Sequence, residues 1–324
     1  MSLSKKIFNI SNEDEFNSVA LEVFNFQYKN IPIYKSYVDL LKLEKNKISH
    51  YKEIPFLPVQ FFKNHNVISN NLTVEKTFLS SGTTQKNRSK HLVHSIKLYK
   101  KSFNLGFEYF YGNPNEWTVL ALLPSYLEQG DSSLIYMVND FIQNSKSSDS
   151  NYIKLNLNSF KNIIKNLKNK KVLLIGVSYA LLELSELDSF DIGNWIVMET
   201  GGMKGRRKEI IREELHEKLK TAFNVDYIHS EYGMTELLSQ AYSKKNGLFQ
   251  TPPWMKLIVR DFEDPYSVAK INNSGGINII DLANIYSCSF IETQDIGREV
   301  TKGKIEILGR FDQSEIRGCN LLSF

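Results

Sequence analysis

Cysteine is scarce in this sequence. The 324 residues include two, Cys288 and Cys319, which lie far apart and without the spacing of metal ligands. This arrangement argues against a disulfide scaffold and against a zinc site, so a free thiol is the expected state. No window approaches the roughly 18 uninterrupted apolar residues that a membrane span needs. Because the N-terminus also lacks a signal-peptide pattern, we expect a cytoplasmic protein.

Linkers and repeats are lacking as well, since no stretch rich in proline, glycine or serine divides the chain. Although the length suggests about two domains, we predict one compound domain over 1–324. It would comprise a helical segment at 1–50, an α/β core at 54–250 and a β-rich subdomain at 251–324. The net charge of +4 comes from 40 basic and 36 acidic residues. The densest basic run, 161–171, has the pattern of a helix's polar face, which argues against nucleic-acid binding.

Helical and strand-like apolar patterns alternate along the chain, which indicates an α/β fold. Helices are predicted at 12–29, 32–45, 95–110, 132–143, 158–168, 178–187, 205–222 and 235–242. Strands are predicted at 77–79, 90–93, 118–122, 172–175, 195–198, 226–228 and 277–281. Ser11 is the predicted N-cap of the first helix. The later stretch, 255–310, has strand and turn patterns without a clear helix.

A loop dense in hydroxyl groups lies between two strand patterns. It consists of Ser80, Ser81, Gly82, Thr83 and Thr84. Hydroxyls, backbone amides and one glycine suit a bound phosphate, although a bare hairpin turn has the same composition. A Walker loop is excluded, because no Gly-Lys-Ser/Thr runs into a helix.

A second candidate site follows the strand pattern at 226–228. The residues are Glu231, Tyr232, Gly233, Met234, Thr235 and Glu236. Loops at the carboxyl ends of strands are where α/β sheets bind ligands. Here Tyr232 could stack on a base, Thr235 could bind a phosphate and Glu236 could hold Mg²⁺. The alternative is a plain helix start that Thr235 caps.

Three further positions indicate a nucleotide site mainly when they are taken together. Thr200-Gly201-Gly202 follows the strand at 195–198, and its paired glycines would let the backbone lie flat beside a base. Asp295 can accept hydrogen bonds from two sugar hydroxyls, and Arg310 can donate to the same sugar. Each alone is equally explained as a turn or a surface charge.

Taken in order, these motifs resemble those of the adenylate-forming enzymes. The phosphate loop, the Gly201-Gly202 turn, the Tyr-Gly-x-Thr-Glu signature at 232–236, the Asp295-Ile296-Gly297 motif and the hinge motif from Gly309 onward all have counterparts there. Within that superfamily the chain is most similar to the acyl-protein synthetases of luminous-bacterial fatty acid reductase, then to phenylacetate-CoA ligases. The similarity extends from about Ile54 to the C-terminus.

This resemblance implies a large domain of stacked β-sheets flanked by helices, with ATP and Mg²⁺ as cofactors. It implies that Tyr232, Gly233, Asp295 and Arg310 bind the nucleotide, together with the phosphate loop and the Gly201-Gly202 turn. Thr235 and Glu236 would act in catalysis, Glu236 as the metal ligand. Lys86 and Arg88 are the two candidates to replace the lysine that this family carries after its phosphate loop.

The resemblance also implies a nucleophile. In the acyl-protein synthetases a cysteine near the C-terminus carries the acyl group, and Cys319 stands at the matching place beside Arg317, which would lower the pKa of its thiol. The alternative is a packing residue, as the phenylacetate-CoA ligases have there. Cys288 is interpreted as strand filling, and His91 and His94 as structural histidines.

We therefore expect an enzyme that activates a carboxylic acid, such as a fatty acid, as acyl-AMP and transfers the acyl group to Cys319 or to an external thiol such as coenzyme A. The mobile lid domain of the superfamily is expected to be absent after the hinge, so a protein partner, a reductase or an acyl carrier, would complete the site. The alternatives are an acyltransferase that does not use ATP, a coenzyme A ligase completed by a partner, and a non-catalytic binding module.

Overall fold

The computed structural model describes residues 3–81, 88–124, 130–202, 210–264 and 267–311. Within these ranges the helices are α1 Leu3–Ile7, α2 Glu13–Asn30, α3 Pro32–Leu40, α4 Phe61–Asn64, α5 Ile96–Tyr111, α6 Ser133–Asn144, α7 Leu157–Leu167, α8 Ser178–Ser185 and α9 Arg212–Phe223. The strands are β1 Leu57–Pro58, β2 Lys76–Leu79, β3 Lys90–Val93, β4 Thr118–Leu122, β5 Asn151–Tyr152, β6 Val172–Val177, β7 Ile196–Thr200, β8 His229–Tyr232, β9 Ala241–Ser243, β10 Leu248–Phe249, β11 Met255–Arg260, β12 Ser274–Asp281, β13 Phe290–Thr301 and β14 Lys304–Arg310. Short 3-10 turns lie at Lys45–Lys47, Tyr51–Glu53 and Pro114–Glu116.

A largely parallel sheet has the strand order β5-β4-β6-β7-β8-β9. All neighbours are parallel except β9, which runs antiparallel to β8. Every residue of β4 and β6 is buried, as expected when helices cover both faces of a parallel sheet. The carboxyl ends of β7 and β8 therefore open at the same edge.

The second sheet is mostly antiparallel, with the order β10-β14-β13-β12-β11 and with β1 parallel to β13. It is formed by the chain after residue 247, apart from the short β1. This confirms the predicted α/β class with stacked sheets and a β-rich later part. The hairpin of β2 and β3 forms a third, two-stranded sheet.

The N-terminal helices are tied to the second sheet by a buried amide. Gln27 of α2 is fully buried, and its side-chain nitrogen lies 3.0 Å from the backbone oxygens of Asn284 and Ile285. Its oxygen accepts a hydrogen bond of 3.0 Å from the Ser289 amide. No described helix is long and apolar enough to cross a membrane.

Several predicted boundaries were wrong. The N-cap of α2 is Asn12, whose side chain accepts a hydrogen bond from the Glu15 amide, whereas Ser11 donates to the Glu15 carboxylate. The helix predicted at 32–45 ends at Leu40. In the described part of 205–222, the helix begins at Arg212. The strand predicted at 226–228 lies instead at His229–Tyr232.

The helix predicted at 235–242 is absent from that described stretch, where a turn leads into strand β9. The buried carboxylate of Asp281 accepts hydrogen bonds from the backbone amides of Leu238 and Ser239, at 2.7 and 2.9 Å. The side chain therefore takes up amides that would otherwise bond within a helix.

Candidate functional site

Several of the predicted site residues lie at the carboxyl edge of the parallel sheet. Strand β7 ends at Thr200 and runs into the turn at Gly201 and Gly202. Its neighbour β8 ends at Tyr232 and runs into Gly233–Glu236. Because this edge is the usual ligand-binding edge of such sheets, the topology supports the predicted location.

Tyr232 and Arg310 both donate hydrogen bonds to Asp295. The Tyr232 hydroxyl donates to one oxygen of Asp295 at 2.6 Å, and Nε of Arg310 donates to the other at 2.7 Å. Asp295 on β13 stands opposite Arg310 on β14, and it is 3% exposed. Burial and the adjacent Asp295 carboxylate raise the pKa of Tyr232 well above its usual value. The phenol therefore remains a hydrogen-bond donor at neutral pH.

The position of Gly297, at the end of the Asp295-Ile296-Gly297 motif, has no room for a side chain. A Cβ at this position would lie 2.7 Å from the backbone oxygen of Glu306 and 2.7 Å from the Ile277 side chain. The pairing of β13 with β14 shifts register between Ile296 and Gly297. Glycine thus permits the close approach of β14 that carries Arg310 to Asp295.

Glu236 is the buried carboxylate of the site, at 4% exposure. Burial raises the pKa of its carboxyl, against the opposing effects of a hydrogen bond to Ser89 and of the nearby Arg310 charge. Asp295, also nearby, acts in the same direction as burial. A cation placed here would favour the ionised form.

The hairpin that carries the predicted phosphate loop is fixed against this carboxylate. Ser80 and Ser89 lie opposite each other in the hairpin, and the Ser89 amide donates a hydrogen bond of 2.8 Å to the Ser80 hydroxyl. Arg88 donates a hydrogen bond from its guanidinium Nε to the Ser80 backbone oxygen. This bond uses one of the guanidinium donors. Ser81 is exposed. Gly82, Thr83, Thr84 and Lys86 lie outside the described residues.

His91 joins the hairpin to the loop after β8. Its ring nitrogens lie 2.8 Å from the Thr235 backbone oxygen and 3.0 Å from the Asn284 side-chain oxygen. Asn284 in turn donates to the Glu236 backbone oxygen at 2.8 Å. Burial lowers the pKa of His91 to about 4. These contacts confirm His91 as a structural histidine and place Thr235 in a turn, not at a helix start.

The turn at Gly201 is held in place by a hydrogen bond from Ser178. Gly201 has a φ of +65°, in the left-handed region that glycine adopts readily. The Ser178 hydroxyl lies 2.8 Å from the Gly201 oxygen and 2.9 Å from a carboxylate oxygen of Glu199. Gly202 is exposed beside it. The strand end therefore presents bare backbone to the open edge.

Two buried carboxylates, Glu199 and Glu231, lie on the neighbouring strands β7 and β8. Glu199 is 3.3 Å from Nε of Arg212 and 3.6 Å from Nε2 of His216. Although burial opposes it, the hydrogen bond with His216 and the charge of Arg212 lower the pKa of Glu199. Glu231 accepts a hydrogen bond from Thr200. Burial raises the pKa of Glu231 to about 7.

Arg212 and His216 were not singled out from the sequence. They stand four residues apart on α9, so both reach the same carboxylate, and this spacing is the signal that could have found them. Arg212 also donates to the backbone oxygen of Ile307 on β14 at 2.7 Å and lies over the Phe249 ring at 5.1 Å. It thus links the edge of the parallel sheet to the strand that ends at Arg310.

Of the two cysteines, Cys288 alone lies within the described residues. Cys288 is fully buried but lies in a turn between β12 and β13, so its interpretation as strand filling was wrong. Burial raises the pKa of its thiol to about 12. Cys319 and Arg317 lie outside the described residues. The described residues contain no cluster of three or more His, Cys, Asp or Glu side chains that could hold a metal ion.

Several solved structures have a similar fold. ATP-bound MatB from Rhodopseudomonas palustris has a TM-score of 0.55 and 16% identity, over 73% of this chain and 48% of that one. An open 2-hydroxyisobutyryl-CoA ligase in complex with 2-HIB-AMP and CoA has a TM-score of 0.63 and 9% identity, over 94% of this chain and 72% of that one. The fold is that of the adenylate-forming enzymes.

The adenylate-forming fold also appears in O-succinylbenzoate coenzyme A synthetase (MenE) from Bacillus subtilis, in complex with AMP. That structure has a TM-score of 0.50 and 15% identity, over 74% of this chain and 50% of that one. The chain thus spans about half the length of MatB and MenE. No family model matches the sequence, and no curated protein matches it significantly. At these identities the similarity concerns the fold.

Proposed function

We propose that this protein binds ATP and Mg²⁺ and activates a carboxylic acid as acyl-AMP. The observation that carries the proposal is the convergence of Tyr232, Asp295, Arg310 and Glu236 at the carboxyl edge of the parallel sheet. Three separate segments of the chain supply these residues. Their assembly within an adenylate-forming fold favours a shared ligand over four independent structural roles.

At the adenosine end, Asp295 accepts the ribose hydroxyls. Each of its oxygens already accepts one hydrogen bond, from Tyr232 or from Arg310. A carboxylate oxygen has a second acceptor position, so the ribose can bind without displacing either partner. The Tyr232 ring and the bare backbone at Gly201 and Gly202 form the sides of the base site.

At the phosphate end, Glu236 would hold Mg²⁺, which would neutralise charge on the phosphates of ATP. Magnesium is commonly bound by one or two carboxylates plus substrate phosphates, so one carboxylate suffices. Thr235 contacts the α-phosphate, and the loop of Ser80 to Thr84 holds the β- and γ-phosphates. Ser89 and His91, which follow this loop in the chain, contact Glu236 and Thr235 respectively.

The chemistry is two successive displacements. A carboxylate oxygen of the acid attacks the α-phosphorus and pyrophosphate leaves with the electron pair. A thiolate then attacks the acyl carbon, and AMP leaves. Positioning and charge neutralisation by the residues above account for most of the expected rate enhancement.

For the second step we propose Cys319 as the acceptor thiol, in line with the sequence similarity to acyl-protein synthetases, and a reductase or acyl carrier as the next recipient. Incubation with ATP, Mg²⁺ and an accepted acid should add one acyl mass that hydroxylamine removes. Cys319→Ser should abolish this adduct and leave acyl-AMP formation intact. A fully active Cys319→Ser enzyme with coenzyme A would instead identify a coenzyme A ligase.

Calorimetric titration with ATP and Mg²⁺ tests the nucleotide site. Asp295→Ala should weaken binding by roughly 2 kcal/mol, the cost of losing a buried charged hydrogen-bond partner. The matched control is Glu306→Ala, which removes the Arg298–Glu306 ion pair from the same two strands and should leave affinity unchanged. Equal ATP affinity of the wild type and Asp295→Ala would refute the assignment and favour a transferase or a binding module.

A further inference from the structure

The strand that carries Tyr232 has a second face. Side chains alternate along a strand, so the Glu231 side chain points away from the side that Tyr232 occupies. Glu231 stands opposite Tyr242 on the antiparallel strand β9, and Tyr232 stands opposite Ala241. Continuing this register sets Gly233 beside Gln240. A Cβ on Gly233 would lie 2.6 Å from a carboxylate oxygen of Glu231 and 3.4 Å from Cγ of Gln240.

Glu231, Gln240 and Tyr242 therefore form one polar patch, and all three are buried, at 7%, 4% and 2% exposure. The side-chain oxygen of Gln240 and the hydroxyl of Tyr242 have no hydrogen-bond partner among the described residues. Only four such atoms occur in that part of the chain, and two of them lie in this patch. A buried polar atom without a partner costs about 1–3 kcal/mol, so folded proteins rarely retain two as neighbours without a use.

Aromatic rings border the patch on the α5 side. The Tyr242 ring lies 5.4 Å from that of Phe110 and 5.5 Å from that of Tyr111. In this apolar setting, burial raises the pKa of the Tyr242 phenol well above its usual value, with Glu231 as the next cause. The phenol thus keeps a proton that it can donate, and the Gln240 side-chain oxygen accepts.

We infer that this patch binds a hydroxyl group of the carboxylic acid substrate, which makes the substrate class hydroxy acids and not unsubstituted fatty acids. A hydroxyl donates one hydrogen bond and accepts another, so it satisfies both the Gln240 oxygen and the Tyr242 hydroxyl. An ammonium group would only donate. This inference rests on the proposed adenylation.

The position of the patch also limits the length of the acid. The carboxylate of the acid must meet the α-phosphate near Thr235, just beyond Gly233. Gln240, one of the two groups that bind the hydroxyl, stands beside Gly233, and the two residues from Gly233 to Thr235 span at most roughly 7 Å. The hydroxyl of the substrate therefore lies a few bonds from its carboxylate, in a short acid.

Stable acyl-adenylate analogues test this inference without requiring turnover. The probes are butanoyl-sulfamoyladenosine, its 2-, 3- and 4-hydroxy derivatives, and hexadecanoyl-sulfamoyladenosine, titrated calorimetrically into the full chain. At least one hydroxylated analogue should bind about 100-fold more tightly than the butanoyl and hexadecanoyl analogues, because a site built for a hydroxyl rejects ligands that lack it.

Two variants and one control assign the preference to the patch. Tyr242→Phe and the near-isosteric Gln240→Met should each reduce the affinity ratio at least about tenfold. Tyr152→Phe removes a buried hydroxyl that also lacks a partner in the described residues but lies on β5, and it should leave the ratio unchanged. Equal binding of all short analogues, tightest binding of the hexadecanoyl analogue, or unchanged ratios in both patch variants would overturn the inference. If no analogue binds the wild type, the proposed adenylation fails with it.

Discussion

The two faces of the strand end at Tyr232 differ in how their polar groups are satisfied. On the Tyr232 side, each carboxylate oxygen of Asp295 accepts a hydrogen bond, from Tyr232 at 2.6 Å and from Arg310 at 2.7 Å. On the opposite side, Gln240 and Tyr242 each carry an atom without a partner in the described residues. The first face is organised before any ligand arrives. The second face carries buried polar atoms without partners in the described residues, which lowers the stability of the fold. A ligand that hydrogen-bonds to these atoms would restore that stability.

The largest expected effect concerns Glu231, the carboxyl of the unsatisfied face. Its pKa of about 7 in the folded protein lies above the usual 4.5, so the fold favours the neutral acid. This contribution is complete below pH 4.5 and is lost as pH rises through 7. Because Glu231→Gln keeps the neutral form, its free energy of unfolding should rise relative to wild type by on the order of 3 kcal/mol between pH 4.5 and 8.

Urea unfolding at several pH values measures this difference. Glu217→Gln, a change at an exposed glutamate of α9, is the matched control and should track the wild type. Parallel stability curves for wild type and Glu231→Gln would show that Glu231 is ionised without cost.

A smaller effect is expected on the satisfied face. Tyr232→Phe leaves one oxygen of the buried Asp295 without its phenol donor, which should cost about 2 kcal/mol of stability. Denaturant unfolding checks this value, with the half-exposed Tyr227→Phe as control. A change equal to that of the control would mean that water replaces the phenol freely.

The smallest effect belongs to the corresponding phenol of the other face. Tyr242→Phe removes a hydroxyl that lacks a partner in the described chain, so stability should stay constant or increase by up to about 1 kcal/mol. The same denaturant unfolding assay compares the change in stability of Tyr242→Phe with that of Tyr232→Phe. If Tyr242→Phe destabilises as strongly as Tyr232→Phe, the two faces do not differ as described.

The sequence was sufficient for the elements with clear periodicity. Strands β3 and β4 match their predicted limits, and the apolar run of β4 is buried throughout in the parallel sheet. The proximity of Tyr232 to Asp295, 63 positions later, was expected from motif similarity alone. No local pattern relates two residues so far apart.

The segment after Glu236 shows why the remainder could not be predicted. Leu237, Leu238, Ala241 and Tyr242 have the spacing of an apolar helix face, yet they belong to a turn and a strand. Asp281 determines the outcome, because its carboxylate bonds the amides of Leu238 and Ser239 from a distant strand. Tertiary contacts of this kind override local propensity.

Pyrophosphate exchange into ATP tests the central claim most directly. With a panel of carboxylic acids that includes short hydroxy acids, the wild type should exchange labelled pyrophosphate only when an accepted acid is present. Glu236→Gln should lower the exchange rate about 100-fold or more while changing ATP affinity far less, because a carboxylate that holds Mg²⁺, the role proposed for Glu236, would matter most as pyrophosphate leaves. Tight ATP binding without acid-dependent exchange, or exchange unaffected by Glu236→Gln at limiting Mg²⁺, would contradict the assignment of this fold to acid activation in this protein.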